Sequence, residues 1–341
     1  MTRKINNSYE LGQSNAPTDG GDMLKTRADG TLVWEGVADT TFVPIPIDGD
    51  RGIFGSGYGG GTVNIIEYVT ISSTGNGTDF GDLSVSRYNA TATSNGTRGV
   101  FAGDESLSTT IDYITIATPS NATDFGDLTS GRKLTDSGFS NYTNDRGCFA
   151  GGRYSGHSYT NIIDYVTIST TGNATDFGDL LNTPAYNGST SNSTSDRGIT
   201  AGGQTSAATN IIHYVTISST GNATDFGDLV ADNKGQACTS NALSDRGVWM
   251  GGDNASGINN SMEYVTISTT GNATDFGNLL GNKGYSGGSS NGAGDRGLSA
   301  GGVSSNVIEY ITISTTGNAT DFGDLLSARS DLGGTADAGG N

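Results

Sequence analysis

Proline, cysteine and histidine are all scarce, with 5, 2 and 2 residues in a chain of 341. So few prolines beside 55 glycines exclude a collagen-like or proline-rich disordered chain, and leave short strands joined by many turns. The two cysteines, Cys148 and Cys238, stand at unrelated points of the chain, which excludes a disulfide framework and reads as two small buried hydrophobes. His157 and His213 are too few for a histidine-rich metal centre, and neither sits beside a serine or cysteine in a nucleophile motif. Basic residues number 17 against 35 acidic ones, a net charge of -18, and that balance excludes the concentrated basic surface a nucleic-acid partner requires. No apolar run follows the opening Met1-Thr2-Arg3-Lys4, so neither a secretory signal nor membrane insertion is expected, and synthesis is placed in the cytoplasm.

Repetition is what the chain has in abundance. An Arg-Gly pair recurs at Arg51, Arg98, Arg146, Arg197, Arg246 and Arg296. A tyrosine within an apolar run follows each time, at Tyr68, Tyr113, Tyr165, Tyr214, Tyr264 and Tyr310. A Thr-Asp-Phe-Gly element completes the unit with Phe80, Phe125, Phe177, Phe226, Phe276 and Phe322. Successive anchors lie about 45 to 52 residues apart, the length of a propeller blade. Turn pairs such as Asn-Gly and Gly-Asn divide a unit into four strands, as at 90–95, 98–103, 110–117 and 122–128. The array enters at a second strand, Arg51, and ends with Gly333-Gly334-Thr335-Ala336, which matches a first strand. The fold class expected is therefore all-β, a six-bladed β-propeller over 48–341 closed by its C-terminal strand, with residues 1–47 apart from it.

The unit from Arg132 through Phe149-Ala150-Gly151-Gly152, Tyr165 and Phe177 resembles the blade of kelch propellers, with Phe where that family usually has Trp. Gly-Gly is lost at Gly55-Ser56 and Gly103-Asp104, so the resemblance is kelch-like and brings no activity with it.

Residues repeated in every blade serve packing, because a ring needs six copies of a contact and an active site needs one. The arginine series from Arg51 to Arg296 is accordingly assigned to structure, paired with third-strand acids such as Glu67, Asp112 or Asp164. The Asn-Ala-Thr-Asp-Phe-Gly-Asp segments, with Asp176 and Asp179 as one example, are read as turns entering the fourth strand in preference to calcium loops. No metal, cofactor or enzymatic activity is expected. Paired carboxylates meeting across the channel would favour a polysaccharide-degrading enzyme instead.

Propeller topology puts the connections between second and third strands, and between blades, on one face. They vary in length and content, so a unique site belongs there. Seven cations fall in these connections: Arg87, Arg132, Lys133, Arg153, Lys234, Lys283 and Arg329. With Tyr88, Tyr154, His157, Tyr159, Tyr186 and Tyr285 they compose the candidate surface, for an anionic glycan or a neighbouring protein. Arg87, Arg132 and Arg329 have the alternative of repeating a structural position.

Gly21 to Glu35 reads as a β-hairpin turning at Asp29-Gly30, with Leu24, Leu32 and Trp34 as its docking residues. Its Leu, Asp-Gly and Leu-x-Trp pattern resembles segments of fibre and appendage proteins of tailed bacteriophages. The Tyr-Val-Thr-Ile and Gly-Asn-Ala-Thr-Asp-Phe-Gly-Asp-Leu blades are similar to repeats in virion proteins of phages of marine bacteria. These resemblances imply a virion structural protein, present in multiple copies, bound to other virion proteins through residues 1–47 and offering the propeller to a host-surface polysaccharide. A capsid-decoration role and an intracellular kelch-type interaction module are the further alternatives.

Overall fold

The computed structural model describes residues 22–26, 32–36 and 49–339. The chain divides into two compact units, 1–47 and 48–341. In the first, the strands Asp22–Thr26 and Leu32–Gly36 pair antiparallel, with Leu24 opposite Trp34. The side chains of Leu24, Leu32 and Trp34 lie outside the described residues, so their docking role has no structural account here.

The second unit is a six-bladed β-propeller of four-stranded antiparallel sheets. Blade two is built from Thr91–Ser94, Arg98–Ala102, Thr110–Thr115 and Thr123–Asp127, within two residues of the turn-derived boundaries. Blade one takes its innermost strand from the chain's other end, Gly333–Ala336, which pairs with Arg51–Gly55 through Gly333↔Gly55 and Ala336↔Gly52. The ring closes as the order of strands requires, each blade keeping only short edges.

The three sequence anchors meet as one stack in every blade. Each guanidinium lies over its own blade's tyrosine ring, 4.2–4.6 Å from the centroid. Each tyrosine meets the phenylalanine edge to face at 6.0–6.3 Å. The same guanidinium donates to a backbone carbonyl of the following blade: Arg51 to Ile116, Arg98 to Ile168, Arg146 to Ile217, Arg197 to Ile267, Arg246 to Ile313 and Arg296 to Ile71, at 2.7–3.1 Å. Pairing of these arginines with third-strand acids is thereby corrected. The arginine stands at the turn end of its strand, and the acids are taken by other cations.

A bulge makes the stack possible. In blade one Ile66 pairs with Gly81 and Glu67 with Asp79, which leaves Phe80 as the extra residue, turned inward. Gly81 and its five equivalents hold φ of 140–148°, and a Cβ there would stand 2.4–2.5 Å from a carbonyl oxygen of the adjoining blade's turn. Only glycine fits. That turn carries the asparagine of Asn-Ala-Thr, or Asn76 in blade one. From Asn121 round to Asn76, its Oδ1 accepts a backbone N–H from the preceding blade's outer strand at 3.0–3.1 Å. Thr-Gly-Asn-Ala-Thr is thus a seam between blades.

The core is divided into six clusters, each shared by two neighbouring blades. Val100, Ile111 and Phe125 of blade two pack with Leu134, Phe149 and Val166 on the way into blade three. Phe54 and Val69 of blade one close on Leu298, Ile308 and Phe322 of blade six. The innermost strands are short and, apart from Phe139 and Cys238, made of Gly, Ser, Thr and Ala because they crowd the axis. A Cβ on Gly288 would come within 1.9 Å of the Cys238 carbonyl oxygen. Cys148 and Cys238 are buried and unbridged. Beneath the inner strands Asp136, from the connection into blade three, accepts the backbone N–H of Cys238 in blade five at 2.8 Å. Burial raises its carboxyl well above the usual value.

Removal of the last eleven residues takes away Leu332 and Ala336 from the cluster that joins blades six and one. The truncated chain is expected to lose its cooperative thermal transition, and an unchanged melting temperature by calorimetry would contradict closure by this strand. A carboxyl whose folded pKa is raised contributes stability below its unfolded value that is lost as pH rises through the folded one. Asp136→Asn is therefore expected to gain on the native protein in thermal stability from pH 4 to pH 8, whereas parallel pH profiles would disprove this role.

Candidate functional site

The connections between blades converge at one end of the axis. Each has a residue in the left-handed region two positions before the innermost strand: Asn89, Asp136, Tyr186, Gly235, Tyr285 and Asp331, with φ of 50–63°. Main-chain hydrogen bonds join neighbouring connections into a collar, among them Asn89 N–H to Asp331 O at 3.1 Å, Asp331 N–H to Tyr285 O at 2.7 Å and Gly235 N–H to Tyr186 O at 2.7 Å. Asn, Asp and Gly adopt this conformation readily. A tyrosine there costs about 1–3 kcal/mol, the kind of strain that collects at functional sites.

Inside the collar lies a cup of about 390 Å³. Tyr88, Asn89, Tyr186, Tyr285 and Asp331 enter it from the blade connections. Glu105, Arg153, Gln204 and Val303 enter it from the loops between second and third strands. Tyr186 and Tyr285 meet edge to face at 5.7 Å, and Tyr58 tilts against Tyr88 at 5.2 Å. The Arg153 guanidinium lies over the Tyr186 ring, 5.3 Å from its centroid.

Polar partners hold these groups in place. Glu105 accepts from Asn89 Nδ2 and is ion-paired with Lys133. The Tyr285 hydroxyl donates to Asp253 at 3.0 Å. Lys234 bonds Gln204 Oε1 at 3.1 Å and faces Asp253 at 3.4 Å. Burial lifts the Asp331 carboxyl to about 6; Ser330 Oγ, donating at 2.7 Å, opposes the rise and the charge of Glu105 adds to it. Burial pushes the Tyr186 hydroxyl up to about 12 against the pull of Arg153. It also raises Tyr285, with Asp253 adding to the effect, and Tyr88, with Glu105 adding.

Of the residues expected on this face, Tyr88, Arg153, Tyr186 and Tyr285 come together in the cup, with Lys133 and Lys234 fixing its acceptors from behind. Tyr154 and Tyr159 flank Arg153: the Tyr154 hydroxyl lies 3.0 Å from Ser130 Oγ, and Tyr159 bridges the Arg153 backbone. The His157 side chain lies outside the described residues.

Arg87, Arg132, Arg329 and Lys283 are corrected from surface to interior. They are buried in ion pairs with Asp112, Asp164, Glu67 and Glu309 respectively, because a third-strand acid below each connection needs a counter-charge. Blade four has neutral His213 at the acid position, with no cation among its described neighbours. Burial lowers that imidazole to about 4, and its Nε2 meets Asn182 Oδ1 at 3.0 Å. Blade five keeps Glu263, raised by burial and holding the Val230 N–H at 2.7 Å.

Tyr58, Glu105, Gln204 and Asp331 were not singled out by sequence. Counting back two residues from each innermost strand would have brought Asp331 into line with Tyr186 and Tyr285. Three other grooves of about 340–350 Å³ lie beside the turns between third and fourth strands, all lined by the repeated Tyr, Thr, Gly and Asn. Being copies of one packing arrangement, they single out no site. Among the described residues no three His, Cys, Asp or Glu side chains converge. Searches against protein-family models and against curated proteins return no match for this chain.

Gly235 already fills the collar position in blade five. Tyr186→Gly or Tyr285→Gly therefore relieves a strained backbone while emptying the cup. Each variant is expected to melt no more than a few degrees away from the native protein. Calorimetry showing unfolding at ordinary temperature would mean that these rings hold the fold instead.

Proposed function

We propose that this protein is a virion structural component of a tailed bacteriophage, carried in multiple copies and attached to other virion proteins through residues 1–47, whose propeller takes hold of a host-surface polysaccharide in the axial cup. One observation carries the binding half of this reading. Aromatic rings, two of them on strained backbone, converge with hydrogen-bonding side chains in a cup on a rigid ring, and rings flanked by planar polar groups suit the apolar face and hydroxyl edge of a sugar. The virion half rests on the resemblance of the hairpin segment and of the Asn-Ala-Thr-Asp-Phe-Gly blades to phage proteins. A tail fibre or appendage suits such a cup better than capsid decoration, which needs no ligand.

Glu105 and Asp331 favour a second reading, hydrolysis. They are two carboxyl groups in one cup, and the raised Asp331 is suited to donate a proton. Binding and hydrolysis separate in one experiment, in which the full-length protein is incubated with capsular and lipopolysaccharide preparations. Retention of glycan without new reducing ends is expected. Accumulating reducing ends, abolished by Asp331→Asn, would establish the enzyme, and absence of retention on every glycan would end the adsorption reading.

A further inference from the structure

The charges of the variable face are almost all spent. Arg87, Arg132, Arg329, Lys283, Lys133 and Lys234 each face a carboxylate of this chain. Arg153 is the exception: among the described residues it has no carboxylate within ion-pairing distance, and its buried Nε has no hydrogen-bond partner. It is nevertheless firmly placed. Its backbone exchanges hydrogen bonds with Lys133 at 2.9 and 3.1 Å and bridges Tyr159, while its guanidinium plane covers Tyr186. An oriented guanidinium with donors unused, stacked on an aromatic ring at the mouth of a cup, is arranged to take a planar two-oxygen anion.

We propose that the cup selects a sugar unit bearing a single carboxylate, of the hexuronic acid class, with Arg153 as the carboxylate anchor and the Tyr186–Tyr285 pair as the platform for the ring. This rests on the polysaccharide reading above. The rest of the lining limits the anion to one. Glu105 and Asp331 line the same cup and accept hydroxyl groups while repelling a second negative charge. The chain's net charge of -18 acts against densely charged polymers in the same sense. A polymer in which acidic and neutral sugars alternate satisfies both conditions, and a polysulfate or polyphosphate satisfies neither.

The test is calorimetric titration of the full-length protein with hexuronate oligosaccharides of galacturonic, glucuronic and mannuronic type. Each is compared with its carboxyl-reduced, neutral counterpart. For the oligosaccharide that binds, reduction of the carboxyl is expected to weaken affinity at least about tenfold, and Arg153→Gln to remove that difference between the acidic and neutral forms. Arg153→Lys, charged but unable to make the paired contact, is expected to restore only part of the preference. Equal affinity for acidic and neutral forms in the native protein, or an undiminished preference in Arg153→Gln, overturns the anchor and leaves polysaccharide binding standing. Binding of no oligosaccharide in either form sinks both.

Discussion

One contact carries this architecture: an arginine that lies on a tyrosine of its own blade and donates to the backbone of the next. Stacking on the ring is worth about 0.5–1 kcal/mol at a half-exposed site and the hydrogen bond about 1 kcal/mol. Neither is large alone. Six copies running in one direction make a circuit with no first or last member, since Arg296 of blade six reaches Ile71 of blade one. A circuit of this kind rewards closure, and the chain achieves it by sending Gly333–Ala336 back to complete the blade with which the propeller began. The phenylalanine bulge, its glycine and the asparagine of the neighbouring turn all serve the same stack, which is why they recur almost letter for letter.

The two ends of the axis are held by different means. At the end bearing the Asp-Arg-Gly turns, side chains join the blades: Asn95 to Asp145, Asn141 to Asp196 and Asn192 to Asp245. Changing one residue there breaks a seam. At the other end main-chain groups hold the collar, and only the left-handed backbone at one position per connection is demanded. Side chains at those positions are left open to other uses. Glycine fills one, short polar residues fill three, and Tyr186 and Tyr285 accept backbone strain to place two rings face to edge over the axis.

The fold was legible because its physics is repeated. Three anchors at blade spacing, turn pairs between them and an unmatched strand at each end of the array define a closed six-bladed ring without further information. The candidate site was legible only in part, because a unique site has no periodicity. Tyr88, Arg153, Tyr186 and Tyr285 were reached through their place in variable loops, yet Arg87, Arg132 and Arg329 share that place and turn inward to buried acids. Glu67, Asp112 and Asp164 gave the clue, but the nearer repeated arginines were the natural partners to assign. Asp331 escaped because the connection into blade three is two residues longer than its neighbours after the cation, from Arg132 to Asp136 against Arg329 to Asp331, which hides the common position.

The proposed function separates a uniform ring that holds the structure from an irregular cup that would take the ligand. A crystal structure of the protein grown with an acidic oligosaccharide that it binds in solution tests this most directly. Sugar density seated among Tyr186, Tyr285 and Arg153, with the carboxylate on the guanidinium and the six arginine stacks unmoved, is the result predicted. Density in the repeated grooves between blades, with the cup empty, would contradict it.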